Sequence, residues 1–244
     1  MDAAELILGG GSVFVAALLG GITGFGYALV ATPLLLILGF PLPFVVTANL
    51  ALALVTRVPV AYRFRADLWP RRAALLVGGS VPGLWLGTHV LSAVDEAQIK
   101  VAAGLLVMAA AVLMLRSLHA APPEPIRGAP IAAGFAGGFL GATTSLNGVA
   151  PVLLLARDKA APRAFIADLA VYFVASNAIG LTLLAAAGSV SGPALFPACL
   201  LWLTGSMAGN WIGATLGPRL PEAAFRRITL AIVFVAGAVT TLTA

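Results

Sequence analysis

Long apolar segments separated by short polar connections make up most of this chain. A bilayer core accepts only helices or closed barrels, and these segments are too long and too continuously apolar to be barrel strands. The pattern therefore predicts an all-α polytopic membrane protein. The apolar segments cover residues 7–22, 25–38, 44–62, 73–91, 101–115, 129–141, 146–156, 165–187, 194–216 and 228–242.

Composition and charge agree with this prediction. Charged residues make up 9% of the 244 residues and hydrophobic residues 61%, whereas a soluble domain carries about 25% charged residues. The net charge of +5 comes from basic residues at the ends of apolar segments, as in loop anchors, so it does not indicate nucleic-acid binding. Cys199 is the only cysteine, which excludes an intrachain disulfide.

A proline-rich connection, AAPPEPIRG at residues 120–128, divides the chain into two halves that resemble each other. The pattern G-S-x-x-G-x-W-x-G occurs at residues 79–87 and again at 205–213. Glycines spaced by four place a smooth stripe on one helix face, which allows close helix packing in lipid. We therefore predict a first repeat at 1–119, a linker at 120–128 and a second repeat at 129–244.

The first two apolar segments of each half form a pair whose members are too short to cross a bilayer alone. In the first half, the sixteen and fourteen residues reach about 24 and 21 Å, against a hydrocarbon core of about 30 Å. Each pair is therefore either one broken helix that crosses once, or a hairpin that returns to its starting side.

The positions of the basic loop residues favour the hairpin. Single crossings divide the thirteen basic loop residues six against seven, whereas returning hairpins place twelve of them on one side, which is then cytoplasmic. We expect a multi-pass protein of the bacterial inner membrane with two inverted repeats, each a re-entrant or short-helix hairpin plus three transmembrane helices. Two short complete crossings per pair would give the same count. The twelve residues are Arg63, Arg65, Arg71, Arg72, Arg116, Arg127, Arg157, Lys159, Arg163, Arg219, Arg226 and Arg227.

The tips of the two pairs carry a family resemblance. The runs GGITGFG (20–26), PLLLILGFP (33–41) and VTANLALAL (46–54) recur in degenerate form as GGFLGATTSLNGVAPVLLL (137–155) and IADLAVYF (166–173). Over most of its length the chain resembles the TauE/SafE family of membrane exporters of sulfite and organosulfonates. The resemblance implies a permease for small anions. The second half departs from the family pattern, because ATTSLN replaces a glycine run, and both Asn49 and Asp168 stand where a small hydroxyl residue is common.

The two tips are expected to meet near the midplane and to hold a small oxyanion between them. Helix N-termini and glycine backbone supply N–H donors, and Ser, Thr and Asn add neutral donors that bind an anion without trapping it. Alternatively, such hydroxyl groups bond to carbonyls of their own helix. The candidate substrate-binding residues are Thr23, Gly24, Phe25, Gly26, Thr143, Thr144, Ser145 and Asn147.

Further polar residues inside apolar segments are candidates for the pathway or for gating. Asp168 is the only acid inside such a segment, and it either couples a proton, gates transport, or pairs with Arg163 about one turn away. Arg57 either attracts the substrate or extends its charge toward the cytoplasmic end of its helix. The candidates for the pathway or for gating are Asn49, Arg57, Asp168, Tyr172 and Asn210.

The residue types argue against several other functions. Neither histidine lies near a serine at depth, and no His–Glu–His spacing occurs, so the chain is not predicted to be an enzyme. The His, Cys and carboxylate clusters of a metal transporter are missing, and no cofactor is indicated.

We therefore predict a transporter of sulfite or an organosulfonate that works by alternating access, with or without proton coupling. The alternatives are an anion channel, or a transporter of another anion such as carboxylate, sulfate or thiosulfate. The expected partners are the small anionic substrate and the lipid bilayer, with no nucleic acid, and the protein is expected to be a monomer or a homodimer.

Overall fold

The computed structural model of the chain describes residues 2–95, 97–99, 126–190 and 195–216, together with positions 101, 102, 105, 108, 109 and 235. Most of the predicted apolar segments 228–242 and 101–115, and residues 120–125 of the predicted linker, lie outside the described residues. The same is true of Lys100, the one basic loop residue that returning hairpins place opposite the other twelve, and of Arg116, Arg219, Arg226 and Arg227.

The described residues form helices joined by short connections, with no strand among them. Four of the helices are long and apolar enough to cross a membrane, which confirms the prediction of an all-α polytopic membrane protein. The helices are α1 (Ala3–Thr23), α2 (Tyr27–Ile37), α3 (Leu42–Arg63), a 3-10 turn (Arg65–Asp67), α4 (Pro70–Ala93), α5 (Ala129–Thr144), α6 (Val149–Arg157), α7 (Pro162–Ala186) and α8 (Leu195–Leu216).

Local capping makes α1 longer than its apolar segment. Asp2 accepts a hydrogen bond from the backbone of Glu5, and the Glu5 side chain bonds back to the backbone of Asp2. This capping box starts the helix at Ala3, and Gly24 ends it in the left-handed conformation, with φ 85°. The 21 residues of α1 extend about 31 Å. The estimate of sixteen residues and 24 Å for this arm was therefore too short.

The two helices that follow the tips remain short. Helices α2 and α6 have 11 and 9 residues, or about 16 and 14 Å, which is roughly half a bilayer core. Each lies against the preceding helix at the tip. A Cβ on Gly20 would collide with Tyr27, and one on Gly137 would collide with Pro151. Both pairs therefore have the geometry of a hairpin.

Helices α4 and α5 run in parallel with their backbones in close contact. A Cβ on Gly79 would strike the carbonyl of Ile131, and a Cβ on Gly83 would strike the carbonyl of Phe135. In the reverse direction, Gly138 of α5 faces the carbonyl of Ser80. The glycine stripe of the first half therefore packs against the first arm of the second hairpin.

Helices α8 and α1 repeat this arrangement. A Cβ on Gly209 would strike the carbonyl of Phe14, a Cβ on Gly213 would strike the carbonyl of Leu18, and Gly21 faces the carbonyl of Asn210. Both glycine stripes therefore allow backbones to approach closely, as their spacing predicts. In each case the partner helix belongs to the other half of the chain.

An ion pair fixes the two connections before α4 and α7 on the same side of the helix layer. Nε of Arg163 lies 3.0 Å from Oδ2 of Asp67. Helix α5 also begins on this side, because it runs parallel to α4, so the contact supports a returning hairpin for the pair α5–α6. We call this side, where α3 ends and α4, α5 and α7 begin, the basic face. Its described basic residues are Arg63, Arg65, Arg71, Arg72, Arg127, Arg157, Lys159 and Arg163.

The two hairpins enter the helix layer from opposite sides. Helix α5 begins at the basic face, in parallel with α4. Helix α1 begins at the opposite side together with α8, where Nε1 of Trp202 donates a hydrogen bond to the carbonyl of Leu6. Helices α3 and α7 pack between the hairpins, with Gly180 of α7 against Leu50 of α3.

Candidate functional site

The tips of the two hairpins contact each other in the interior of the described helices. Between them lies a small cleft, which we call the tip cleft. Helix α2 begins beside it from one hairpin and α6 from the other. Its lining comprises Phe25, Ala28 and Leu29 of the first hairpin and Leu146, Asn147, Gly148 and Val149 of the second.

Two helix N-termini therefore meet at one small space. The first N–H groups of a helix have no partner within the helix, and they carry a partial positive charge. Gly26 precedes α2 and Gly148 precedes α6, so neither N-terminus is covered by the side chain of its N-cap residue. Such a space suits a small anion better than a cation.

Thr23 closes the turn of the first tip. Its hydroxyl donates to the carbonyl of Leu19 at 2.9 Å and accepts a hydrogen bond from the N–H of Gly26 at 3.0 Å. Gly24 can adopt its left-handed φ of 85° without the strain that a side chain would cause. The tip is thus held in shape by its own residues, which positions Phe25 at the cleft.

Ser145 occupies the corresponding left-handed position of the second tip, with φ 61°. A non-glycine residue there costs about 1–2 kcal/mol. The conformation directs the Ser145 hydroxyl to within 2.7 Å of the Thr32 hydroxyl, and Nδ2 of Asn49 donates to both oxygens at 3.0 Å. Thr32, Asn49 and Ser145 form what we call the polar knot, which joins α2 and α3 to the second tip.

The polar knot is buried and not fully satisfied. All three residues are buried, and Oδ1 of Asn49 has no hydrogen-bond partner among the described residues. The sequence singled out Asn49 and Ser145 but missed Thr32, which lies in the apolar run of α2.

Thr143 and Thr144 bond to their own helix. The Thr143 hydroxyl donates to the carbonyl of Phe139 at 2.9 Å, and that of Thr144 donates to the carbonyl of Leu140 at 2.9 Å. In this conformation their hydroxyl protons point at α5 rather than into the tip cleft, which is the alternative that the sequence left open for them.

Asn147 links the tip cleft to α7. Its Nδ2 donates to Oδ1 of Asn177 at 2.6 Å and to the Ser176 hydroxyl at 3.3 Å, while the Tyr172 hydroxyl donates to its backbone carbonyl at 3.3 Å. Nδ2 of Asn177 is buried and has no partner among the described residues. Tyr172 thus supports the second tip from α7. The predicted site did not include Ser176.

Asp168 is fully buried and forms an ion pair with Arg72, with Nε and Oδ2 2.5 Å apart. Its other carboxylate oxygen accepts a hydrogen bond from the backbone N–H of Trp69 at 2.8 Å. The predicted alternative, that Asp168 pairs with Arg163, is wrong. The start of α4 packs against α7 and brings Arg72 within reach of Asp168 instead. The guanidinium of Arg163 instead pairs with Asp67.

The two remaining candidates both lie against the end of α1. Asn210 is half-buried on α8, and its backbone carbonyl lies against Gly21 in the last turn of α1. Arg57 of α3 is buried, donates to the carbonyl of Gly20 at 3.4 Å, and lies 5.7 Å from the ring centroid of Phe173.

No group of three potential metal-ligating side chains occurs within the residues that the structure describes. The described candidates contribute amides, hydroxyls, helix N-termini, the buried guanidinium of Arg57 and the buried ion pair of Arg72 with Asp168.

Comparison with known proteins identifies one family. The family model described as "Sulfite exporter TauE/SafE" matches residues 10–240, which is nearly the whole chain. Neither the search of curated proteins nor the search of solved structures gave a match.

Proposed function

Because the chain belongs to the TauE/SafE family of sulfite exporters, a family of membrane transporters, we propose that it exports sulfite or an organosulfonate across the bacterial inner membrane. The substrate is held between the two hairpin tips, and transport proceeds by alternating access.

The observation that carries this proposal is the meeting of the two tips at one cleft. The N-termini of α2 and α6 and the side chain of Asn147 border the same small space. Backbone N–H groups bind an oxyanion without a fixed full charge at the point of contact, so the ion can leave again. The proposed binding residues are Thr23, Gly24, Phe25, Gly26, Thr143, Thr144, Ser145 and Asn147.

Two inverted repeats, at 1–119 and 129–244, are part of the proposal. The parallel pairs α1–α8 and α4–α5 support it, because each joins the first arm of one hairpin to the glycine helix of the other half. Transporters built this way hold the substrate at the interface between repeats and expose it to each side in turn.

The proposed orientation places the basic face in the cytoplasm. Except for Arg57 in the interior of α3, all described Lys and Arg residues lie at this face. The described start of α1, on the other side, carries Asp2 and Glu5. An excess of Lys and Arg is typical of cytoplasmic loops. The first hairpin then enters from outside and the second from the cytoplasm.

Residues around the cleft are proposed to line the pathway or control its opening. Asn49 ties α3 to the second tip through the polar knot, and Tyr172 holds the same tip from α7. Asp168 ties α7 to the start of α4 at the basic face, where opening toward the cytoplasm would have to break or move this contact. Asn210 lies where α8 supports the first hairpin.

Uptake of sulfite into proteoliposomes tests the proposal. A carrier saturates with rising sulfite concentration and exchanges internal for external sulfite, and we expect both behaviours. Unsaturable flux without exchange would instead favour the second candidate, an anion channel. Carboxylate, sulfate and thiosulfate serve as competitors, and an organosulfonate such as sulfoacetate is compared with them. Protein that neither moves sulfite nor is stabilised by it against heat, while a competitor does both, would refute the assignment.

A further inference from the structure

Arg57 is a buried cation with no carboxylate within ion-pair distance among the described residues. It lies six residues before the end of α3 and is 5% exposed, whereas Arg63 at the end of the same helix is exposed. A guanidinium carries five N–H donors. In the described part of the chain it makes one hydrogen bond, the 3.4 Å contact to the carbonyl of Gly20. A buried charge in a membrane protein is rarely left without a partner unless it has a function.

One aromatic ring separates this guanidinium from the tip cleft. Cζ of Arg57 lies 5.7 Å from the ring centroid of Phe173. The outer edge of the same ring packs on the second tip, since a Cβ on Gly148 would come within 2.9 Å of Cζ of Phe173. Gly148 lines the cleft. A rotation of the Phe173 side chain would therefore connect the guanidinium with the space between the tips.

The matching position of the second half also offers an unused donor. Arg57 follows Leu42, the first residue of α3, by fifteen residues, and Asn177 follows Pro162, the first residue of α7, by fifteen. Each lies beside a hairpin, Arg57 against Gly20 and Asn177 against Asn147. Nδ2 of Asn177 has no partner among the described residues.

We propose that Arg57 is the counter-charge that selects an anionic substrate, and that Phe173 covers it while the tip cleft is empty. This inference rests on the proposed function, because it names the charge requirement of the same site. A guanidinium binds two oxygens of an oxyanion side by side. The class of substrate is therefore a small ion with at least two oxygens on one centre, such as sulfite or the sulfonate group of an organosulfonate. Nδ2 of Asn177, which is unpartnered among the described residues and lies beside the cleft-lining Asn147, supplies a further donor.

The affinity of purified protein for sulfite, measured by titration of its thermal stability, tests this proposal. Arg57→Gln keeps most of the side-chain volume and removes the charge, and we expect it to weaken sulfite binding about tenfold or more, because hydrogen bonds to a charged group contribute this much. Arg57→Lys keeps the charge but loses the two-oxygen contact, so its affinity is expected to lie between those of the wild type and Arg57→Gln. Arg65→Gln, at an exposed position of the 3-10 turn, is the matched control and should bind as the wild type does.

Two results would overturn the inference. The first is an Arg57→Gln variant that binds sulfite as tightly as the wild type, and the second is an Arg57→Lys variant that loses as much affinity as Arg57→Gln. Thermal unfolding without sulfite reports whether each variant is folded, and Arg57→Leu provides a second uncharged variant with the same expected loss. Wild-type protein that binds no sulfite at all would refute the proposed function instead, so the two failures are distinguishable.

Discussion

Nε of Arg163 lies 3.0 Å from Oδ2 of Asp67, and this contact joins two connections that are 96 residues apart in the chain. It ties the turn after α3 to the start of α7. Helix α5 begins on this side as well, in parallel with α4. The pair α5–α6 therefore starts and ends on one side of the helix layer, as a returning hairpin does and a single crossing does not.

Cysteine labelling in whole cells checks this topology. In a Cys199→Ala background, we expect cysteines at Ala66 and Ala161 to react only after the membrane is permeabilised, because both are exposed at the basic face. A cysteine at Ser189, after the other end of α7, should react from outside. Labelling of Ala161 but not Ala66 in intact cells would place the two connections on opposite sides of the membrane, and would favour a single crossing by each pair.

The glycine stripes give a stability prediction with an internal control. Gly83→Leu and Gly209→Leu place a side chain against the carbonyls of Phe135 and Phe14. Overpacking costs about 1–3 kcal/mol or more, so both variants should unfold at lower temperature in detergent. Gly78→Leu is the control, because a Cβ at Gly78 has nothing within 4 Å. Equal unfolding temperatures for Gly78→Leu and Gly83→Leu would mean that the close contact of α4 and α5 is wrong.

The left-handed conformation of Ser145 predicts an unusual order of stabilities. Ser145→Ala loses the hydrogen bonds of the polar knot and keeps the backbone strain, whereas Ser145→Gly loses the hydrogen bonds and the strain together. We expect the alanine variant to be less stable than the glycine variant by about 1 kcal/mol. Chemical or thermal unfolding measures the difference, and an alanine variant as stable as the glycine variant would argue against φ 61° at this position.

The buried ion pair of Arg72 and Asp168 predicts that the stability losses of its two single variants are not additive in the double variant. Asp168→Asn leaves a buried guanidinium unpaired, which costs about 3–5 kcal/mol, and Arg72→Met leaves a buried carboxylate unpaired. The double variant should recover much of the loss. Unfolding of the four proteins gives the coupling energy, and fully additive losses would show that the pair does not act as a unit.

The same Asp168→Asn variant tests proton coupling when transport is followed against pH in proteoliposomes. If Asp168 carries the coupled proton, the variant loses the pH dependence of transport while it still binds the anion. Pairing with Arg72 and with the Trp69 backbone instead favours a gating role, in which the rate of transport falls and its pH dependence persists.

Asn147 is the side chain of the second tip that lines the cleft and donates hydrogen bonds at its edge. Asn147→Leu should weaken anion binding by about 1–3 kcal/mol, the cost of losing a hydrogen bond to a charged group. Thr182→Val is the control, because the exposed Thr182 hydroxyl bonds only to its own helix at Ala178. Unchanged affinity in folded Asn147→Leu protein would remove this residue from the proposed site.

The helices were predictable where the sequence signal comes from neighbouring residues. The length of the apolar segments predicted a membrane protein, and the spacing of the glycines predicted the two stripes, because a helix face repeats within a few residues. The start of α1 was misjudged because its first turn is capped by Asp2 and Glu5, and a polar first turn lies outside any apolar window. The left-handed turn of the first tip follows from Gly24, whereas that of the second tip falls on Ser145, where no glycine marks it.

The contacts of the site were less predictable because they join distant positions. Thr32 bonds to Ser145 across 113 residues, and nothing near Thr32 distinguishes it from a threonine that bonds to its own helix. The same applies to Arg72, which the sequence treats as one loop anchor among several although it pairs with Asp168 across 96 residues. A single sequence does not reveal which of several basic residues a buried acid will reach.

The pairing of α1 with α8 has a consequence for how the protein assembles during synthesis. Leu6 accepts its hydrogen bond from Trp202, 196 residues later, so α1 has no final partner when it first enters the bilayer. At a translation rate of about 5–20 residues per second, it waits roughly 10–40 s for α8 to emerge. Throughout that interval the helix must remain in the lipid or be held by an insertion factor, and the first hairpin can reach its native position only once the chain is nearly complete.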